Sequence, residues 1–175
     1  MIPSKEFVRI DKTLHDRESF RCGEPELDEY VLQFAARHMA SGISTTMVLP
    51  ASEKSNDKFS VCAFYSVSPG SVDRKTLPPD YKKRLPYYPV PVFLIGQMAV
   101  HTECQGQGLG KITLVKALEY LRNVNTMLKA NAVIVDCLNE TVQSFYAKYG
   151  FQVMESKGPR IRMFLPMKTV VELFT

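Results

Sequence analysis

A chain of 175 residues that is 45% hydrophobic and carries a formal charge of +4 fits one domain over 1–175, buries a core without disulfide or metal staples, and accommodates a polyanionic partner without requiring one. The four cysteines, Cys22, Cys62, Cys104 and Cys137, form no C-x-x-C pair, and His15, His38 and His101 do not bracket them at zinc-ligand spacing, so we read reduced intracellular thiols and no metal. Lys5, Glu6, Arg9 and Asp11 leave no apolar signal region and no later stretch reaches roughly 18 unbroken apolar residues, so a cytoplasmic protein with no membrane partner is expected.

In chain order, Phe7-Val8-Arg9-Ile10 predicts a short strand. Gly23-Glu24-Pro25 then opens a helix whose Leu27, Tyr30, Val31, Phe34 and Ala35 fall at helical spacing, and which ends near Ser41-Gly42. Residues 45–49 and 59–67 read as an antiparallel strand pair around a polar hairpin at 52–57. From 68 to 91 the chain holds six of its eleven prolines, Pro69, Pro78, Pro79, Pro86, Pro89 and Pro91, so regular structure there is short, with one helical turn near 81–85.

Residues 92–100 form an apolar run suited to a central strand. A glycine-rich loop follows at once, and Leu114, Ala117, Leu118, Leu121 and Val124 mark one face of the next helix. Ala132-Val133-Ile134-Val135, about thirty residues on, is the continuous apolar run of a parallel strand covered on both faces, so strand, helix and strand make a crossover unit. A short helix over 140–149 is stopped by Gly150, and strands at 151–154 and 161–165 follow. Basic residues gather at Arg74, Lys75, Lys82, Lys83 and Arg84 and again at Lys157, Arg160 and Arg162; either group by itself also fits a solvated face.

The loop is Gln105-Gly106-Gln107-Gly108-Leu109-Gly110, with Lys111 after it. A strand that ends in a glycine-rich turn opening a helix aims unpaired backbone N–H groups and a positive helix dipole at one point, where phosphate is the natural ligand. Glycine there removes the Cβ atoms that would hold a pyrophosphate away, although a tight turn also needs glycine for its own dihedrals. A Walker A loop would need glycine at 105 and Ser or Thr at 112, where Gln105 and Ile112 stand. A dinucleotide fingerprint would need a small residue at 111 or 113, where Lys111 and Thr113 stand.

The same segment matches the Q/R-x-x-G-x-G/A motif of the GNAT acetyltransferase superfamily at Gln105, Gly108 and Gly110, and 139–151 resembles that family's N-x-x-A-x-x-F-Y-x-K-x-G-F signature, with Val142 in place of alanine. The resemblance implies an α/β GNAT fold: a mixed, mostly antiparallel sheet of about six or seven strands, with a V-shaped split between its two central parallel strands, flanked by about four helices. It further implies acetyl-CoA as cofactor. Backbone groups of Met98, Ala99 and Val100 would take the pantetheine arm, the amides of Gln105, Gly106, Gln107, Gly108, Leu109, Gly110 and Lys111 would cradle the pyrophosphate, and Asn139 would reach the pantetheine. Tyr146 corresponds to the family's general acid, although Val142, Phe145 and Tyr149 beside it also suit an aromatic packing role. The implied chemistry is direct attack of a neutral amine on the thioester, so no covalent intermediate on Cys104 or Cys137 is expected.

Chain-wide, the layout is similar to the GNAT-type toxins of bacterial toxin-antitoxin pairs, which acetylate the amino group of aminoacyl-tRNA. The marks are Phe20-Arg21-Cys22-Gly23 before the first helix, Ala40-Ser41-Gly42-Ile43-Ser44, Tyr65-Ser66, the approach from Leu85-Pro86 to Pro91, and Gly96-Gln97-Met98-Ala99-Val100; Gln97-Met98 departs from the usual Leu or Arg-Leu. Such a toxin would take aminoacyl-tRNA as acceptor, with Arg37, His38, Arg74, Lys75, Lys82, Lys83 and Arg84 against its phosphates, a small DNA-binding antitoxin as protein partner, and a homodimer as assembly. The α-amino group of an aminoacyl ester titrates near or below about 8, against roughly 10.4 for lysine, so a neutral nucleophile needs no strong base. Glu24, Glu26, Asp28 and Glu29 at the first helix suit its dipole but would repel RNA. An acetyltransferase for a small amine or protein amino group, and a non-catalytic CoA-binding regulatory domain, stay open as alternatives.

Overall fold

The polar stretch after the first long strand closes as a hairpin on Asn56 and Asp57, both with positive φ (52° and 68°), the left-handed pair that a two-residue turn needs to match strand twist. It joins β3 (Thr45–Ser55) to β4 (Lys58–Val72), paired antiparallel from Ser55 opposite Lys58 to Thr45 opposite Val67. The register shifts around Pro50, which has no N–H to give the ladder. In the computed structural model, which describes residues 1–155 and 158–175, both strands run well past the limits that hydrophobic alternation suggests.

The chain divides into two units, Met1–Ser68 with Gly96–Ala117, and Pro69–Ile95 with Leu118–Thr175. In the first unit β1 (Val8–Arg9) pairs antiparallel with β3, and β2 (His15–Asp16) lies parallel to β4. The expected first helix spans 25–40 but is not uniform: α1 (Pro25–Glu29) and α2 (Ala35–Ala40) flank a π-helical turn, Tyr30–Phe34, in which the Ala35 N–H donates to the Tyr30 carbonyl. Proline in the first turn with Glu26 and Asp28 suits a helix start, and Gly42, at φ +75°, ends the helix as the Ile43 N–H bonds back to His38. The wide turn carries Tyr30, Val31 and Ala35 into one core with Phe20, Phe64 and Ala99.

The second unit holds a parallel pair: β5 (Val90–Val100) meets β6 (Ala132–Cys137) from Val92 opposite Ala132 to Ile95 opposite Val135, and β5 continues beyond that last pair. β8 (Ile161–Pro166) runs antiparallel to β6, and β7 (Gln152–Val153) to β8. Ala132, Val133, Ile134 and Val135 are all buried, as a strand covered on both faces requires. The proline-rich excursion is built from a 3₁₀ turn, Arg74–Thr76, and α3 (Pro79–Lys82); its Leu77, Tyr81 and Leu85 pack with Val92, Ile134 and Phe164. α4 (Leu109–Asn125) and α5 (Glu140–Lys148) follow expectation, whereas α6 (Met167–Leu173) was not anticipated and buries only Met167 and Val170. In hydrogen-bonding order the strands run β1-β3-β4-β5-β6-β8-β7, with β2 on β4. This is the mixed, mostly antiparallel sheet that the resemblance implies.

Candidate active site

The end of β5 delivers the chain into the glycine loop through a fixed sequence of hydrogen bonds. Met98 and Val100 are half-buried, while the Ala99 side chain belongs to the core under the first helix, which leaves backbone groups as what this strand offers a ligand. The His101 N–H donates to Cys62 O at 2.8 Å, and His101 Nδ1 accepts from the Glu103 N–H at 3.1 Å, capping the 3₁₀ turn Thr102–Cys104. His101 is buried edge-on to Phe20, and its Nδ1 caps that turn.

Gln105 is the hinge of the loop. Its side-chain amide donates to Val100 O and to Cys22 O, each at 2.9 Å, and so ties the loop to the end of β5 and to the segment before α1. Gly106 and Gly108 hold φ of +79° and +78°, and a Cβ built at either would meet no atom within 4 Å. These positions need glycine for backbone conformation, and the space over them is open to a ligand. Leu109 is buried and seats the start of α4, whose first turn contains Gly110 and Lys111; Thr113 Oγ1 donates to Leu109 O at 2.7 Å. Gln107 and Lys111 are exposed. The exposed loop, its open glycine positions and the positive end of a long helix fit an anion such as pyrophosphate.

In the second unit Asn139 caps α5: its Oδ1 accepts from the Val142 N–H at 3.0 Å, leaving the side-chain NH₂ as the group it can offer. Tyr146 is 6% exposed, its ring edge-on to Phe145 and Phe151 at 5.3 and 5.2 Å. Burial, with a smaller contribution from the Cys137 thiol, holds its phenol well above the ordinary tyrosine range, so it stays protonated. Cys137 is buried and its thiol is raised in turn; Cys104 is fully buried beside Cys62, whose thiol burial and Cys104 push up to about 12. A buried thiol with a raised pKa, as at Cys137, is a poor nucleophile.

The basic groups separate by unit. Arg37 stacks over Phe34 at 5.1 Å, and the His38 ring lies against Tyr30 and Phe34. Arg74 Nε donates to Leu85 O at 3.0 Å, which brings the Arg74–Lys75 group to the end of the Lys82–Arg84 group, and Lys83 pairs with Asp80 at 3.5 Å. Lys157 lies outside the described residues.

Sequence reasoning missed a polar cleft of about 660 Å³ in the second unit, lined by Asp73, Lys75, Asp136, Glu155, Arg160 and Arg162 among others. Arg162 Nε and an NH₂ donate to the two Asp136 oxygens at 2.7 and 3.0 Å, a bidentate cross-strand pair between β8 and β6. The signal was Asp136 closing an apolar run, but pairing it with Arg162 needs the β6–β8 register.

A family model, the acetyltransferase (GNAT) domain, matches residues 76–153, which include both the glycine loop and the 139–151 segment. The chain is 30% identical over 138 residues, 79% of each protein, to a tRNA-acetylating toxin of Mycobacterium tuberculosis (strain ATCC 25618 / H37Rv). This chain belongs to the GNAT acetyltransferase family. It is also 26% identical, over 94% of its length and 92% of the relative's, to a probable toxin TacT of Sinorhizobium fredii (strain NBRC 101917 / NGR234). Its fold matches that of AtaT complexed with acetyl-methionyl-tRNAfMet, with a TM-score of 0.84 at 24% identity over 97% of this chain and 98% of the other. As a GNAT protein it is an N-acetyltransferase whose donor is acetyl-CoA. No described helix is long and apolar enough to cross a membrane, and no metal-binding cluster occurs among the described residues.

Proposed function

We propose that this GNAT enzyme is a toxin that transfers acetyl from acetyl-CoA to the α-amino group of aminoacyl-tRNA, which blocks use of that tRNA in translation. The observation that carries this reading is the 30% identity, over 79% of the chain, to a relative with tRNA-acetylating activity. The amides of 105–111 hold the pyrophosphate at the start of α4, backbone groups of Met98, Ala99 and Val100 take the pantetheine arm and thioester carbonyl, and Asn139 reaches the same arm with its NH₂. Arg37, His38, Arg74, Lys75, Lys82, Lys83 and Arg84 meet tRNA phosphates. A small DNA-binding antitoxin is the protein partner, and a second copy of the chain completes a homodimer.

Acetyl-CoA supplies a thioester that the free-base amine attacks; a C–N bond forms, the C–S bond breaks, and the proton lost by nitrogen ends on sulfur. Tyr146 is the general acid for that transfer. A phenol raised by burial gives up its proton outright only at high cost, so it donates to sulfur while regaining a proton from the nitrogen side, and the ring never carries a lasting charge.

The test is labelled acetyl transfer to a bulk charged-tRNA pool. Label appearing in base-labile aminoacyl adducts supports the reading; label confined to free amines or peptides defeats it. A small amine or a protein amino group is the alternative acceptor for the same transfer. That acceptor is separated in the same assay, since it would be labelled without RNA.

A further inference from the structure

Tyr87 is 91% exposed and Tyr88 64%, within Leu85-Pro86-Tyr87-Tyr88-Pro89-Val90-Pro91, where Pro86, Pro89 and Pro91 fix their own φ angles. Exposed rings by themselves are ordinary. Tyr87 differs because the Arg74 guanidinium carbon sits 4.2 Å from its ring centroid, while Arg74 Nε is anchored on the Leu85 carbonyl at 3.0 Å. The base of Arg74 is held in turn by the 3₁₀ turn that Asp73 caps, its Oδ1 accepting from the Lys75 N–H. A side-chain hydrogen bond to the Leu85 carbonyl thus holds the cation against one face of the ring and leaves the rest of the ring in water.

The surrounding charge is lopsided. Between 73 and 88 stand five basic side chains, Arg74, Lys75, Lys82, Lys83 and Arg84, against two acidic ones. Asp73 serves as the turn cap and Asp80 pairs with Lys83, which leaves the segment basic. A ligand that suits both features presents a flat π face and a negative charge at short intervals, as single-stranded nucleic acid does. An acidic peptide would answer the charge without the ring, and a duplex hides its base faces.

We propose that Tyr87, backed by Arg74, is a stacking platform for an unpaired base at the 3′ end of the acceptor RNA, with Tyr88 as a second exposed ring beside it. The proposal rests on the aminoacyl-tRNA reading, because the amino acid is esterified to that unpaired end. The neighbouring lysines and Arg84 bind the adjoining phosphates through salt-sensitive contacts.

The chain contains no tryptophan, so Tyr87→Trp installs a single indole where the base would stack. Its fluorescence is titrated with deacylated tRNA and with the same tRNA trimmed of its unpaired 3′ nucleotides. Strong quenching by the intact tRNA, with affinity lowered about tenfold and quenching lost on trimming, is the expected result. Equal quenching by both RNAs, or none with either, overturns the platform. In a second measurement Tyr87→Ala raises KM for charged tRNA about tenfold, with kcat and the thermal midpoint unchanged; an unchanged KM again overturns it. Transfer to charged tRNA without quenching sinks the platform alone, whereas no transfer to charged tRNA by the unaltered chain sinks the acceptor reading whatever the indole reports.

Discussion

The Gln105 side-chain amide reaches back to the Val100 carbonyl, 2.9 Å away, and the same nitrogen donates to Cys22 O. The first residue of the glycine motif therefore contacts the protein's own main chain. It ties the loop to the end of β5 and to the segment before α1, and the space over Gly106 and Gly108 is open.

Gln105→Ala removes both bonds while leaving the glycines in place. Net hydrogen bonds of this kind contribute about 1 kcal/mol each, so losing the pair lowers the thermal midpoint by about 4–8 °C. KM for acetyl-CoA rises about tenfold, the equivalent of about 1.4 kcal/mol of lost positioning. An unchanged KM with the lowered midpoint would show that the loop holds its shape without the amide.

At Gly108 two substitutions separate strain from charge. Gly108→Ala meets no atom within 4 Å but must hold φ near +78°, a cost of about 1–2 kcal/mol, and weakens CoA binding moderately. Gly108→Asp adds a carboxylate where the pyrophosphate is proposed to sit and is expected to abolish binding by titration calorimetry. Equal affinities for the two variants would place the CoA site elsewhere.

Tyr146→Phe keeps the ring that packs between Phe145 and Phe151 and removes only the hydroxyl. Turnover drops about a hundredfold or more with CoA affinity intact if the phenol is the acid. The pH profile carries a second check. The acid must be protonated to work, and burial raises its pKa above the usual value, so the wild-type kcat shows no alkaline fall up to about pH 10. A descending limb centred near pH 8 would assign the acid to another group.

If basic side chains bind tRNA phosphates, transfer to charged tRNA weakens about tenfold or more between 50 and 200 mM salt, while transfer to a small amine barely responds. Removing Arg84 and Lys82 together by alanine substitution lowers the slope of log KM against log salt by about 2. An unchanged slope would show that these two side chains stay in solvent during the reaction.

Hydrophobic periodicity was enough to place β3, β4, β5, β6, α4 and α5, because each must bury one face or both against a neighbour. It missed α6, where Pro166 opens a helix too short for its spacing to stand out, and the π turn, because the apolar positions of 25–40 look the same at either pitch. The glycine loop was legible at the level of residue type. The use of Gln105 as an anchor and of Asn139 as a cap was not, since both depend on where distant carbonyls or a helix start come to lie.

By itself the sequence determined the family, the glycine pattern of 105–110 and the strand order's raw material, since glycine spacing and burial patterns are local properties of the chain. Tertiary structure decided the rest. It turned Tyr146 into a buried phenol that keeps its proton, opposed Asp136 to Arg162 across a sheet register, and laid Arg74 against Tyr87. Desolvation and pairing arise only when residues far apart in the chain share one place.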